Sequence, residues 1–141
     1  MFKKLLLLKA VPASQDAGLL VLRLIAVTPL LLKHGLEKIF TFSQMAQHFP
    51  DPLGIGAVPS LVFAMISDAI CTALLILGLA TRWAALITFI NVFVAWAFVH
   101  HFQFFGHEGD HGELIVVYLG VMATLLVAGA GRFSIDGLLN K

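Results

Sequence analysis

The stretch "AGLLVLRLIAVTPLLLKHGLEKIF", residues 17–40, decides the fold of this chain. It is longer than the ~20 residues that an α-helix needs to cross the hydrocarbon of a bilayer. Nearly every position is apolar, and the exceptions are a handful of ionisable residues. The stretch therefore predicts a transmembrane helix that carries charges inside its span.

The whole chain shares this character. Of its 141 residues, 60% are hydrophobic and only 12% are charged, whereas charged residues make up about a quarter of a soluble domain. The net charge of +1 leaves no basic surface for nucleic acid, so nucleic-acid binding is excluded as a function class. The single cysteine, Cys71, has no second cysteine for a disulfide or a CxxC pair, so redox chemistry would need a cofactor or a partner.

Four apolar segments of spanning length lie between the polar and turn-rich stretches. We expect helices at residues 17–40, 59–80, 83–105 and 112–130. The sequence thus predicts an all-α transmembrane four-helix bundle, with residues 1–141 as a single domain. Lysines precede the first span, and Arg82 and Arg132 lie at the same predicted side of the membrane. By the positive-inside rule, both termini are expected to be cytoplasmic.

Ionisable residues within a span are costly, and they are the default functional candidates in a membrane protein. At 100° per residue, Arg23, His34, Glu37 and Lys38 fall on one stripe of the first helix. This stripe is expected to face the bundle interior, with Glu37 orienting the His34 imidazole one turn away.

The other spans add polar residues that we expect to meet this stripe. Asp68 lies near the middle of the second span and needs a cation, a hydroxyl or a proton. His100 and Glu113 are expected at the depth of His34, which predicts a polar cluster in the outer half of the bundle. The structural alternative is that Arg23 and Asp68 form ion pairs that fix helix register, while Lys33, Lys38 and Glu113 snorkel to the interface.

The stretch "HHFQFFGHEGDHGE", residues 100–113, concentrates histidines and acids. Within it, "HEGDH" matches the HExxH pattern of zinc proteases, but glycines interrupt the helical turn that the pattern requires, which disfavours a protease. A copper or zinc site is the more plausible functional interpretation, and a solvated connecting loop is the alternative. The candidate ligands are His101, His107, His111, Glu108 and Asp110.

Three motifs together resemble the DoxX family of small four-helix membrane proteins. "LRLIAVTPLLLKHGLEKIF" is similar to the first-helix signature of that family, an arginine followed by His-Gly-x-x-Lys. "ALLILGLATRWAAL" resembles its second-helix ending, and "GAGRFSIDGLL" its closing Gly-x-Gly-Arg-Tyr/Phe-Ser-x-Asp. The chain departs from the family at Asp68, where glutamate is more common. The resemblance covers roughly residues 23–136.

The resemblance implies a multi-pass protein of the bacterial inner membrane, tied to oxidoreductase systems such as thiosulfate oxidation with electron delivery to quinone, or thiol-stress complexes. The leading hypothesis is a subunit, itself not necessarily an enzyme, that binds a quinone or similar redox ligand within the bundle. The residues assigned to proton transfer are His34, Glu37 and Asp68. The residues assigned to the cofactor are Arg23, Lys38, Trp96, His100 and Glu113.

The same hypothesis specifies partners. The bilayer surrounds the chain, a partner protein supplies the electrons, and a homo-oligomer is compatible with the sequence. One rival is a non-enzymatic membrane protein that handles copper or zinc through the histidine-rich loop. A third alternative is a scaffold that assembles soluble oxidoreductases at the membrane without binding either ligand.

Overall fold

The computed structural model describes residues 12–104 and 112–141, and within them every regular element is a helix. The helices are α1 (Gln15–Phe40), α2 (Phe42–Met45), α3 (Ala57–Leu77), α4 (Thr81–Val99), α5 (Gly112–Ala128) and α6 (Ile135–Leu139). The predicted all-helical fold is confirmed for this part of the chain. The short helices α2 and α6 have no counterpart among the four predicted segments.

Three of these helices are long and apolar enough to cross a bilayer. They are α1, α3 and α4, with 26, 21 and 19 residues, whereas α5 is apolar but has 17 residues. A fourth span and the cytoplasmic location of both termini therefore stay predictions.

Neighbouring helices pack in chain order: α1 on α3, α3 on α4, and α4 on α5. Buried apolar side chains from all four form one continuous core, including Val27, Leu75, Ala85, Met122 and Leu125. We call the end at which α1 begins and α3 ends the terminal end, and the opposite end the loop end.

Left-handed backbone conformations end two helices earlier than the apolar pattern suggests. α3 ends at Leu77 because Gly78 has a φ of 68°, and α5 ends at Ala128 because Gly129 has a φ of 74°. The first of these glycines makes the tight antiparallel turn into α4.

The predicted third helix, to residue 105, is too long. α4 ends at Val99, and His101 and Phe102 adopt positive φ values of 49° and 57°. The amide of Phe102 then donates to the carbonyl of Trp96 at 2.9 Å, and the two rings meet edge to face with centroids 5.2 Å apart. The helix therefore ends before the apolar run does, which the run itself does not indicate.

Widened turns, in which a backbone amide bonds five residues back, interrupt three of the long helices. They lie at Arg23–Val27 and Leu31–Gly35 in α1, at Ile66–Cys71 in α3 and at Ala95–Val99 in α4. Such turns often occur at functional sites. Each one also shifts the following residues around the helix axis, so the face of a residue cannot be computed from 100° per residue.

The connection between α2 and α3 is held by Asp51. Its carboxylate accepts from the amides of Ile55 and Gly56 and from the Ser60 hydroxyl, at 2.8 to 3.0 Å. The hydrogen bond from the Gly56 amide lowers the pKa of the Asp51 carboxyl most, and the bond from the Ser60 hydroxyl lowers it further. The carboxylate of Asp51 therefore ties this loop to the first turn of α3.

Candidate functional site

An ion pair lies within the bundle between α1 and α3. The ammonium of Lys38 is 2.8 Å from Oδ2 of Asp68, and the two side chains are 10% and 7% exposed. Asp68 is near the midpoint of α3, where ionised groups need a partner. Lys38 thus supplies the counter-ion, and the alternative in which it snorkels to the interface is wrong.

The second oxygen of Asp68 receives neutral donors. Oδ1 accepts from the amide of Asn91 at 3.0 Å and from the hydroxyl of Ser67 at 3.1 Å. The buried hydroxyl of Thr88 in turn donates to the Ser67 carbonyl at 3.5 Å. The carboxylate is therefore bound from α1, α3 and α4 at once, and we call Lys38, Asp68 and Asn91 the central triad.

Two local features bring the triad together. Gly35 of α1 lies against the backbone of Asp68, where a Cβ would collide with the Asp68 carbonyl, so the two helices approach closely. Side chains on a helix lean toward its N-terminus. Lys38 accordingly reaches back along α1, and its ammonium also donates to the carbonyl of His34 at 3.3 Å.

His34 and Glu37 occupy different environments, although both were expected to face inward. His34 is half-buried beside the triad, whereas Glu37 is exposed. The expectation that Glu37 faces the interior is wrong because the widened turn Leu31–Gly35 rotates the end of α1. The two residues therefore do not form an inward-facing acid–base pair.

The other cofactor candidates of the loop end do not reach the triad through any described contact. Glu113 is exposed in the first turn of α5. His100 follows the last residue of α4, and Trp96 donates from Nε1 to the carbonyl of Gln103 at 3.2 Å. The predicted convergence of His100 and Glu113 with His34 is thus not part of the described structure.

The predicted metal ligands fall mostly in residues 105–111, between the described ranges. This applies to His107, Glu108, Asp110 and His111. His101 is described and is exposed. Within residues 12–104 and 112–141 no group of three or more His, Cys, Asp or Glu side chains is arranged to hold a metal ion, so the loop site stays a prediction.

Arg23 belongs to a second polar cluster, at the terminal end. Its side chain is completely buried, and it donates to the carbonyls of Leu75, Ile76 and Phe133 at 3.4, 3.0 and 2.5 Å. Leu75 lies about two turns beyond Asp68 along α3, so Arg23 and Lys38 bind α3 at separate levels. The predicted ion pair of Arg23 with Asp68 is absent from the described contacts.

The C-terminal segment closes this end of the bundle. Asp136 accepts from the amides of Ala80 and Thr81 at 2.8 and 2.9 Å, and its own amide donates to the Gly78 carbonyl at 2.8 Å. Ser134 caps α6 by accepting from the Gly137 amide. We call the set Arg23, Gly78, Ser134 and Asp136 the terminal clamp.

The terminal clamp should weaken in acid. Burial raises the pKa of the Asp136 carboxyl, but the amides of Thr81 and Ala80 and the charge of Arg23 outweigh burial and lower it. A lowered native pKa stabilises the fold above the ordinary value, about 3.9, and this contribution disappears as the pH falls through the native pKa.

We therefore expect the hydrogen-exchange protection factors of the Ala80 and Thr81 amides to fall between pH 5 and pH 2. The Asp136→Asn variant should show low protection at both values because its side chain does not ionise. Equal protection of the wild-type amides across this range would contradict the assignment.

Asn91, Ser67 and Thr88 were not among the candidates from the sequence. A signal was present: Thr88 and Asn91 are three residues apart and share one face of an otherwise apolar helix. A charge within a membrane span needs hydrogen-bond donors around it, so neutral polar residues on a neighbouring helix are candidates for that role.

Comparison with known proteins finds a family and two relatives. A family model described as DoxX matches residues 18–101. A protein of Haemophilus influenzae, named only as uncharacterized, is 31% identical over 103 residues, which cover 71% of this chain and 67% of that protein. A second from the same organism, named in the same way, is 31% identical over 122 residues, 83% of this chain and 87% of its own length. No solved structure matches the chain.

Proposed function

The chain belongs to the DoxX family of membrane proteins, and we propose that it binds a quinone or a similar small redox ligand at the central triad. In this proposal it is a subunit of an oxidoreductase system in the bacterial inner membrane. The supporting observation is the Lys38–Asp68 ion pair with its Asn91 donor near the midpoint of α3.

The cost of this pair favours a functional role. Two charges near the centre of a bilayer are expensive even when paired, and well-packed apolar residues usually replace a buried ion pair without loss of stability. Packing alone therefore does not explain the triad. Intramembrane charges of this kind commonly mark proton or ligand pathways.

The donors of the triad fit a carbonyl oxygen. An ammonium has three N–H donors, and Lys38 uses two of them, toward Asp68 and the His34 carbonyl. Asn91 uses one of its two amide N–H donors on Asp68. Lys38 and Asn91 each keep one donor for a neutral acceptor such as a quinone oxygen. The half-buried His34 lies beside these two residues.

The roles of the residues follow from their chemistry. A bound quinone would supply a two-electron acceptor, which takes up two protons as it is reduced. Lys38 and Asn91 would orient one carbonyl oxygen, and His34 would pass protons between that oxygen and the loop end. The described residues hold no cysteine pair or metal cluster, so the electrons would come from a partner protein.

We expect quinone to co-extract with the protein purified in native lipid particles, and a short-chain quinone to bind the delipidated protein. Replacement of His34 by alanine or Asn91 by leucine should weaken binding about tenfold each, the equivalent of one lost hydrogen bond of about 1.4 kcal/mol. Binding can be followed by quenching of tryptophan fluorescence.

The Glu113→Gln variant is the matched control, because Glu113 is exposed and away from the triad. It should bind quinone like the wild type. If no quinone is extracted and the affinities of wild type, His34→Ala and Asn91→Leu agree, the redox-ligand proposal is wrong.

A further inference from the structure

Two opposite charges lie on the outside of α1. Lys33 and Glu37 are both exposed, although α1 is a candidate membrane span. Neither side chain forms an ion pair or a hydrogen bond with the residues that the structure describes. The outer face of this helix therefore carries a cation and an anion one turn apart.

The depth of Lys33 follows from its neighbour. Gly35 lies against Asp68 near the midpoint of α3, so this part of α1 is level with the middle of that helix. Gly35 is buried against the backbone of Asp68, whereas Lys33 is exposed. Lys33 therefore faces away from α3 at nearly the same depth, where a charge in contact with lipid is strongly disfavoured.

An ion pair between Lys33 and Glu37 of the same copy is weakly stabilising. Ion pairs on a helix are favoured when the glutamate precedes the lysine by four residues, and Lys33 and Glu37 have the reverse order. Charged residues within membrane spans usually face protein or water rather than lipid. A partner that covers this face is the arrangement consistent with both charges.

The charges continue an exposed stripe toward the terminal end. This stripe comprises Gly18, Val21, Ile25, Pro29 and Leu32. Gly18 has open space where a Cβ would be, and small residues let transmembrane helices approach closely. The face thus combines apolar contact area with one pair of complementary charges.

We propose that this stripe docks a second copy of the chain, with the two α1 helices parallel about a two-fold axis along the membrane normal. Copies inserted in one orientation meet in parallel, and a two-fold interface uses the same surface twice. Lys33 of each copy then pairs with Glu37 of the other, as charged flanking residues do in parallel coiled coils. The sign pattern is self-complementary, which favours a second copy over an unrelated partner. This inference is independent of the redox ligand.

Charge-reversal variants of Lys33 and Glu37 test the pairing between copies. Donor- and acceptor-labelled full-length chains in liposomes should show energy transfer that rises with the protein-to-lipid ratio. Lys33→Glu alone and Glu37→Lys alone should each raise the dissociation constant at least tenfold, because each places four like charges in the interface. A mixture of the two variants should associate like the wild type, because every charge regains an opposite partner across the interface.

The Glu113→Lys variant, which alters an exposed carboxylate on α5, should associate like the wild type. Recovery of association in the mixture also shows that both variants fold. Association of Lys33→Glu with itself at wild-type strength, or no recovery in the mixture, would overturn the proposal. A wild type that stays monomeric in liposomes and instead co-purifies with a different membrane protein would assign the stripe to that protein.

Discussion

Replacement of Asp68 by leucine is expected to lower the free energy of unfolding by about 3 to 5 kcal/mol, the usual cost of removing one member of a buried ion pair. The reason is the charge that remains. Lys38 keeps only the carbonyl of His34 among its described partners, so its ammonium loses the counter-ion 2.8 Å away. Unfolding in mixed micelles, followed by circular dichroism, measures the loss.

Lys38→Met should cost less than Asp68→Leu. After loss of Lys38, the carboxyl keeps its two donors Asn91 and Ser67, whereas after loss of Asp68 the ammonium keeps a single carbonyl. The asymmetry is specific to this arrangement, since a simple isolated pair would lose similar stability from either side.

The double variant Lys38→Met/Asp68→Leu should recover most of the stability that Asp68→Leu loses, because no buried charge remains. Glu113→Gln serves as the control for an exposed carboxylate on α5 and should change stability by less than about 0.5 kcal/mol. If the double variant is no more stable than Asp68→Leu, the ion pair is not the source of the loss. If the double variant is stable but does not bind quinone, the ion pair serves ligand binding rather than stability.

The long helices could be predicted from the sequence because apolar run length alone determines what can cross a bilayer. Asp68 and Lys38 were recognised as site candidates for a related reason: a charge within such a run needs a partner. The pairing itself was open, since Arg23, His34 and Lys38 all qualified as partners. Only the close approach at Gly35 selects Lys38.

The faces of α1 could not be predicted in the same way. Glu37 and Arg23 were placed on one inward stripe by a constant 100° per residue, but two widened turns lie between them. Asp136 was recognised within a family motif, whereas its bonds to Ala80 and Thr81 span more than fifty residues and leave no local signal.

The terminal clamp leads to a prediction that separates backbone strain from crowding. Gly78 and Gly129 both have left-handed backbones, with φ values of 68° and 74°. A Cβ at Gly78 would collide with Nη1 of Arg23 and with Cβ of Ser134, whereas a Cβ at Gly129 meets nothing within 4 Å. Arg23 cannot easily move aside because three carbonyls hold its guanidinium.

Gly129→Ala is therefore expected to cost only the left-handed strain, about 1 to 2 kcal/mol. Gly78→Ala should cost about 1 to 3 kcal/mol more, the usual penalty for overpacking a filled site, and it should also expose the C-terminal segment to protease because Ser134 and Phe133 are displaced together. The difference in unfolding free energy between the two variants measures the crowding around Arg23. Equal losses would mean that Arg23 adjusts freely, and that the buried guanidinium does not join α1, α3 and the C-terminal segment into one unit.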